Sequence, residues 1–302
     1  MKSSRQALLA LHGAVALFGC AGLIGKVVAS PALVVTCVRS LVGALALGLG
    51  LLVWHGGRSR EARRQPALPR RGLWLGLLAA GALLAAHWWA FFAAVRLGTV
   101  ALGLLTFASY PLFATLLEPV IFRERLRVAD LAACAGVGAG LALVVPEWNF
   151  GTRAGRAAVV GLASGLTFAL LSLLNRRLVR DAPALALVAA ETTVAGLVLL
   201  PLAAPGLVTL PGRDWAWLLV LGVVFTGLAH WAFTAALSRV PVRLAGVTAA
   251  LEPVYGVALA WLLLGENPGA RTLAGGCLIV GATLLATLAR DWGPASLNQP
   301  GD

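Results

Sequence analysis

The chain has 302 residues, of which 60% are hydrophobic and 12% charged, against roughly 45–50% apolar and about 25% charged in an ordinary soluble domain. So few charges cannot cover a soluble surface, and disorder needs the opposite composition. The four cysteines, Cys20, Cys37, Cys134 and Cys277, stand singly in apolar runs and offer no disulfide framework, which leaves a polytopic membrane protein.

A bilayer-crossing helix needs about 20 mainly apolar residues, and ten segments supply them. Span 1, 7–29, carries Gly19, Gly22 and Lys26 on one helical face. The glycines permit close helix approach or open space beside it, and Lys26 near the span's end can snorkel or bind a substrate carboxylate. No convincing cleavage site follows, so the segment reads as a span and not a removed signal. Span 2, 31–54, holds Arg39. Span 3, 72–95, holds His87, Trp88 and Trp89, and span 4, 99–122, holds Tyr110 and Pro111. Span 5, 128–146, has an Ala132, Gly136, Gly140 stripe suited to tight packing within the chain or in a dimer. Span 6, 155–176, contains Ser164, and span 7, 183–204, contains Glu191 at a depth like that of Arg39. Span 8, 214–237, holds His230 and Trp231; span 9, 242–264, holds Glu252, Pro253 and Tyr255; span 10 is 271–289.

The basic residues orient this array. With the N-terminus inside, seventeen of the 24 Lys and Arg fall in inner segments and five in outer ones, the asymmetry that puts both termini in the cytoplasm. No nucleic-acid-binding motif accompanies the charge, so no nucleic-acid partner is expected. The connections are short, leaving no room for an extramembrane catalytic domain.

The sequence also repeats itself. A shift of 142 carries Trp89 onto Trp231, Phe91 onto Phe233, Thr106 onto Thr248, Pro111 onto Pro253, Phe113 onto Tyr255 and Glu124 onto Glu266. Each half then holds five spans, residues 7–146 and 155–289, with 290–302 as a cytoplasmic tail. Five is odd, so the second copy is upside down. The expected fold is all-α, ten transmembrane helices as two inverted five-helix repeats, the architecture of secondary transporters with a midplane site between the halves.

These residues resemble the drug/metabolite transporter superfamily, in particular its ten-span EamA-like members. The resemblance lies in Lys26, Arg39, the stretch from Ser109-Tyr110-Pro111 through Arg123-Glu124-Arg125-Leu126, and its counterpart Leu251-Glu252-Pro253-Val254 through Leu264-Gly265-Glu266. It covers about residues 7–289 and implies export of amino acids or other small metabolites across a bacterial inner membrane. Glu118-Pro119 departs from the usual plain apolar end of span 4.

Ionisable groups within spans are costly, roughly 2.5–3.5 kcal/mol each on insertion scales, and mark function by default. Glu252, about ten residues into span 9, is near the midplane and is read as a cavity carboxylate for an amino group, a cation or a proton. The alternative is a structural ion pair with Arg39. Pro111 and Pro253 free the carbonyls of Phe107 and Ala249 and are expected as hinges. Lys26, His87, Trp88, Tyr110, His230, Trp231, Glu252 and Tyr255 are the substrate-cavity candidates, with Arg39 and Glu191 as structural charges. His12, near the inner end, is read as bland.

The cavity walls are expected from spans 1, 3, 4, 6, 8 and 9. A zwitterionic, partly apolar solute such as an amino acid fits these groups; a cationic drug-like solute is the alternative. No cofactor and no metal are expected, since no ligand spacing occurs. An intramembrane enzyme would need Ser164 activated by a histidine such as His230, or paired acids or a P-loop, which are absent from the sequence. The expected partners are a small-molecule substrate and membrane lipid, with the chain as monomer or homodimer.

Overall fold

In the computed structural model, described residues are 4–56, 71–123, 126, 128–145, 148–179, 182–237, 240 and 242–290. Glu124, most of the connection between spans 2 and 3, and the tail beyond Arg290 lie outside them. The described chain is a helical bundle, because in hydrocarbon every backbone N–H and C=O must be satisfied within the segment. The helices are α1 Ser4–Val27, α2 Ala32–Gly56, α3 Arg71–Leu97, α4 Val100–Phe107, α5 Tyr110–Phe122, α6 Val128–Val144, α7 Arg153–Leu178, α8 Ala184–Val208, α9 Gly212–Gly222, α10 Ala229–Leu237, α11 Val242–Ala249, α12 Glu252–Leu264 and α13 Gly269–Arg290. A π-helical segment, Val223–Leu228, joins α9 to α10.

Among the described residues nine segments are long and apolar enough to cross a membrane. The fifth span is the shorter α6, whose 17 residues rise about 26 Å and cover most of a ~30 Å hydrocarbon core.

The breaks fall where the two prolines foretell them. Span 4 is α4 and α5 and span 9 is α11 and α12, with proline in the first turn of each second piece. There its missing N–H and fixed φ suit a helix start. The shift of 142 carries Val100–Phe107 onto Val242–Ala249 and Tyr110–Phe122 onto Glu252–Leu264. The detail repeats too. Thr106 Oγ1 donates to Leu102 O and Thr248 Oγ1 to Leu244 O, at 2.6 and 2.8 Å. The next turn tightens through Ser109 N to Thr106 O and Leu251 N to Thr248 O. Both second pieces end on a left-handed residue, Arg123 at φ 57° and Gly265 at φ 67°.

Much of the packing is preserved when the halves are exchanged. α2 packs on α8 and α6 on α13, while α1 against α12 answers α7 against α5. α1 and α12 run parallel and close. A Cβ on Gly19 would lie 2.6 Å from Glu252 O, and one on Gly256 2.8 Å from Gly19 O. The glycine stripe of span 1 therefore serves helix approach. The stripe in span 5 does the same within the chain. A Cβ on Gly140 would meet Gly275 O of α13 at 2.7 Å, and one on Gly136 would meet Ala282 Cβ at 2.8 Å, so both glycines are occupied by α13, while Ala132 is exposed.

One irregularity separates the halves. Gly81 packs on Val194 of α8 and Gly222 on Val42 of α2, and exposed Trp74 answers exposed Trp215; these pairs are 141 apart. Beyond Val223–Leu228 the offset is 142. The π segment is thus one extra residue in span 8, accommodated as a local widening of the helix.

Candidate functional site

A cavity of about 100 Å³ lies between the halves. Phe18 and Ala21 of α1, Arg39 of α2 and His87, Trp88 and Phe91 of α3 form one part of its wall. Phe107 of α4, Phe168 of α7, His230 of α10 and Glu252 of α12 form the rest. Walls come from spans 1, 3, 4, 6, 8 and 9, and span 2 adds Arg39.

Arg39 is 3% exposed. Its Nη2 and Nε donate to Thr226 Oγ1 at 2.9 and 3.2 Å, and its guanidinium lies 4.0 Å from the Trp88 ring centroid. A planar cation between a hydroxyl and an aromatic face is stabilised without a counter-ion. Thr226 reaches this place through the π segment, where its hydroxyl also donates to Leu221 O, five residues back. No ion pair joins Arg39 to Glu252 among the described residues, although both face the same cavity. The salt bridge that was the alternative reading of Glu252 is absent among the described residues, and the two groups stand apart on the cavity wall.

His230 Nδ1 lies 2.8 Å from Thr226 O. A carbonyl only accepts, so Nδ1 carries the hydrogen and Nε2 keeps its lone pair. His87 Nδ1 is 3.1 Å from Ser164 O and 2.9 Å from Ser164 Oγ. Ser164 therefore meets His87, not His230. One ring nitrogen thus faces both the hydroxyl and the carbonyl oxygen of Ser164. The histidines are not a matched pair. The 142 register sets Trp88 against His230, both on the cavity, and Trp89 against Trp231, both turned outwards at 45% and 40% exposure.

Three further candidates stand elsewhere. Trp231 faces away because one residue past His230 is a rotation of about 100°. Tyr255 gives its hydroxyl to a 2.7 Å contact with His12 Nδ1, so His12 holds α12 in place. Lys26 lies beyond the cavity at the end of α1, 3.6 Å from Glu266 Oε1, and donates to Gly98 O. Tyr110 backs the wall instead of lining it. It stacks on Phe107 at 5.5 Å and meets Phe168 edge-on at 5.1 Å, and borders a void of about 20 Å³ with Glu252 and both prolines.

Glu191 is buried against Asn175, which donates to Oε2 at 3.2 Å, while Oε1 has no hydrogen-bond partner. Arg39 and Glu191 therefore occupy corresponding spans without touching. Glu118 is held by Arg176 at 2.9 Å, which explains how span 4 tolerates an acid near its end. The aromatic lining by Phe18, Phe91, Phe107 and Phe168 was missed, because phenylalanine in an apolar span carries no mark distinguishing a cavity from lipid.

With this geometry in place, the comparisons with known proteins are direct. The EamA-like transporter family matches the chain twice, over residues 5–145 and 155–288. The chain belongs to the EamA-like transporter family. Among relatives of this EamA-like transporter is the pseudopaline exporter CntI of Pseudomonas aeruginosa strain UCBPP-PA14. It is 29% identical over 255 residues, covering 84% of this chain and 85% of that one. The same exporter from strain PAO1 is 29% identical over 256 residues, with the same coverage. An uncharacterised transporter of Archaeoglobus fulgidus is 26% identical over 201 residues, 65% of this chain and 70% of that one. One solved crystal structure superposes over 100% of both chains with a TM-score of 0.64 at 20% identity, a likeness of fold. The protein is a multi-pass membrane transporter for a small-molecule substrate.

Proposed function

We propose that the protein exports a small amphipathic metabolite, an amino acid or a solute of similar build, across a bacterial cytoplasmic membrane by alternating access. One observation carries the reading. Arg39 and Glu252 present a guanidinium and a carboxyl group to one aromatic-walled cavity without pairing with each other. A zwitterion satisfies both: its carboxylate takes Arg39, its amino group takes Glu252, and its side chain packs on Phe18, Phe91 and Phe168. Export, and not uptake, rests on the family resemblance and on the relatives named as exporters. The bias of Lys and Arg supports both termini inside.

The cavity's 100 Å³ is well below the ~300–1,000 Å³ of ligand pockets, so it has to widen to take a solute. The two five-span halves, repeats at 7–146 and 155–289, part at one end or the other to admit solute. The breaks before Pro111 and Pro253 let the second pieces of spans 4 and 9 move against the first.

Counterflow in proteoliposomes tests this, using a panel of amino acids, nucleosides and organic cations with and without a pH gradient. Amino-acid counterflow that falls in Glu252→Gln with normal membrane insertion is the expected result. Counterflow of organic cations alone would favour the drug-like reading. Movement of none of them would overturn the assignment.

A further inference from the structure

A second, larger cavity of about 660 Å³ opens at the end of the bundle where α1 finishes and α4, α7 and α13 begin. Lys26, Arg96, Arg153 and Arg271 line it, with Glu266 the one acid among its lining residues. Three of the cations cap helix C-termini. Lys26 donates to Gly98 O after α3, Arg96 to Val28 O and Ala29 O after α1, and Arg271 to Ala142 O in the last turn of α6. Three helix N-termini, those of α4, α7 and α13, meet the same space and offset the three negative ends. The side chains then leave a net charge of three positive units. Arg153 pairs with no acid or carbonyl among the described residues.

Glu266 sits in this field as a resident anion. One carboxylate oxygen faces Lys26 at 3.6 Å, and the other accepts the N–H of Val100, the first residue of α4, at 2.8 Å. Those two contacts tie the α12–α13 loop of one half to α1 and α4 of the other. The central cavity is close. Ala21 and Lys26 are about 8 Å apart along α1, and Phe91, Phe92 and Val100 fill the space beside Gly22 and Gly25 between them.

We infer that this vestibule binds an anionic group, a carboxylate or a phosphate, and that the arriving anion exchanges with Glu266 on Lys26 and the α4 N-terminus. The exchange releases the Glu266 tie between the halves at that end, while that of Arg271 to Ala142 O remains. The inference rests on the proposed carrier function for its purpose, but anion binding itself is an equilibrium property and stands or falls without any transport.

Glutarate is the probe, titrated calorimetrically into the full chain in phosphatidylcholine nanodiscs, with and without phosphatidylglycerol. Glu266→Gln removes the internal competitor and should tighten binding about fivefold or more. Arg153→Gln with Arg271→Gln should weaken it by a similar factor, and added salt should weaken it in wild type. Arg213→Gln, a cation away from this cavity, should change nothing. Lys2 and Lys26 are the chain's lysines, so acetylation followed by mass spectrometry reads the seat in wild type directly. Glutarate should slow modification of Lys26 and not of Lys2.

No heat from glutarate in phosphatidylcholine discs, or affinity unchanged in Glu266→Gln, would overturn the exchange. So would a phosphatidylglycerol adduct lost in the Arg153/Arg271 variant without glutarate binding, which would make the cavity a lipid-headgroup seat. If transport fails for every solute while these binding shifts appear, the anion seat survives and the carrier reading does not.

Discussion

The two broken spans have one backbone and different contents. α4–α5 and α11–α12 match in length, in the threonine before the break, in the proline after it and in the left-handed residue at the end. Yet Tyr110 stands where Glu252 stands, and Phe107 where Ala249 stands. The first half fills its break with stacked rings; the second leaves an acid facing the cavity. Symmetry here belongs to the backbone of the two breaks, and asymmetry to the side chains they carry.

The largest way to break this comparison is at the helix contact. Gly256, which corresponds to Ala114, lies against the backbone of Gly19. Gly256→Leu should cost about 3 kcal/mol or more, as overpacking against backbone that cannot yield. Little folded protein should survive detergent extraction, whereas Ala114→Gly should be recovered with a nearly normal melting temperature.

Next comes the acid itself. Glu252→Gln should reduce counterflow about tenfold or more, the worth of one charged hydrogen bond, with insertion unchanged by fluorescence size-exclusion. Equal activity in the variant would remove Glu252 from recognition.

A smaller effect should appear at the left-handed ends. Arg123 adopts φ 57°, which costs a side-chain-bearing residue energy that Gly265 avoids. Arg123→Gly should raise stability by about 0.5–1 kcal/mol, read as a rise of about 1–2 °C in melting temperature. Gly265→Ala should move it the other way.

The smallest effect belongs to Tyr110→Phe. Its ring stacking survives, so counterflow should change less than about twofold. A loss as large as that of Glu252→Gln would mean that both breaks recognise solute and that the contrast drawn between them is wrong.

Much of the scaffold was legible because its causes are local. Apolar length marks the spans, proline marks the breaks, and the 142 shift links them. The site was only partly legible. Glu252, His87, Trp88 and His230 declare themselves as polar or amphipathic groups at midspan depth, and the structure brings them to one cavity. The register matches Trp88, not His87, with His230. Trp231 and Tyr255 failed because composition does not say which way a helix is rotated. Arg39 was read as a structural charge, since its partner Thr226 is reached through a π turn. A helix of that kind has the same hydropathy as an ordinary one and leaves no sequence pattern of its own.

That turn has a consequence for how the two copies came to differ. A single additional residue in span 8 is absorbed between Val223 and Leu228, so the residues on either side keep the faces of their span 3 counterparts, Trp215 with Trp74 outwards and His230 with Trp88 on the cavity. Removing one residue there would restore an unbroken α-helix with those faces kept, and would take away the widened turn from which the Thr226 hydroxyl reaches Arg39. A change in length can then add one local contact to a single copy and leave the rest of the span in step with its twin.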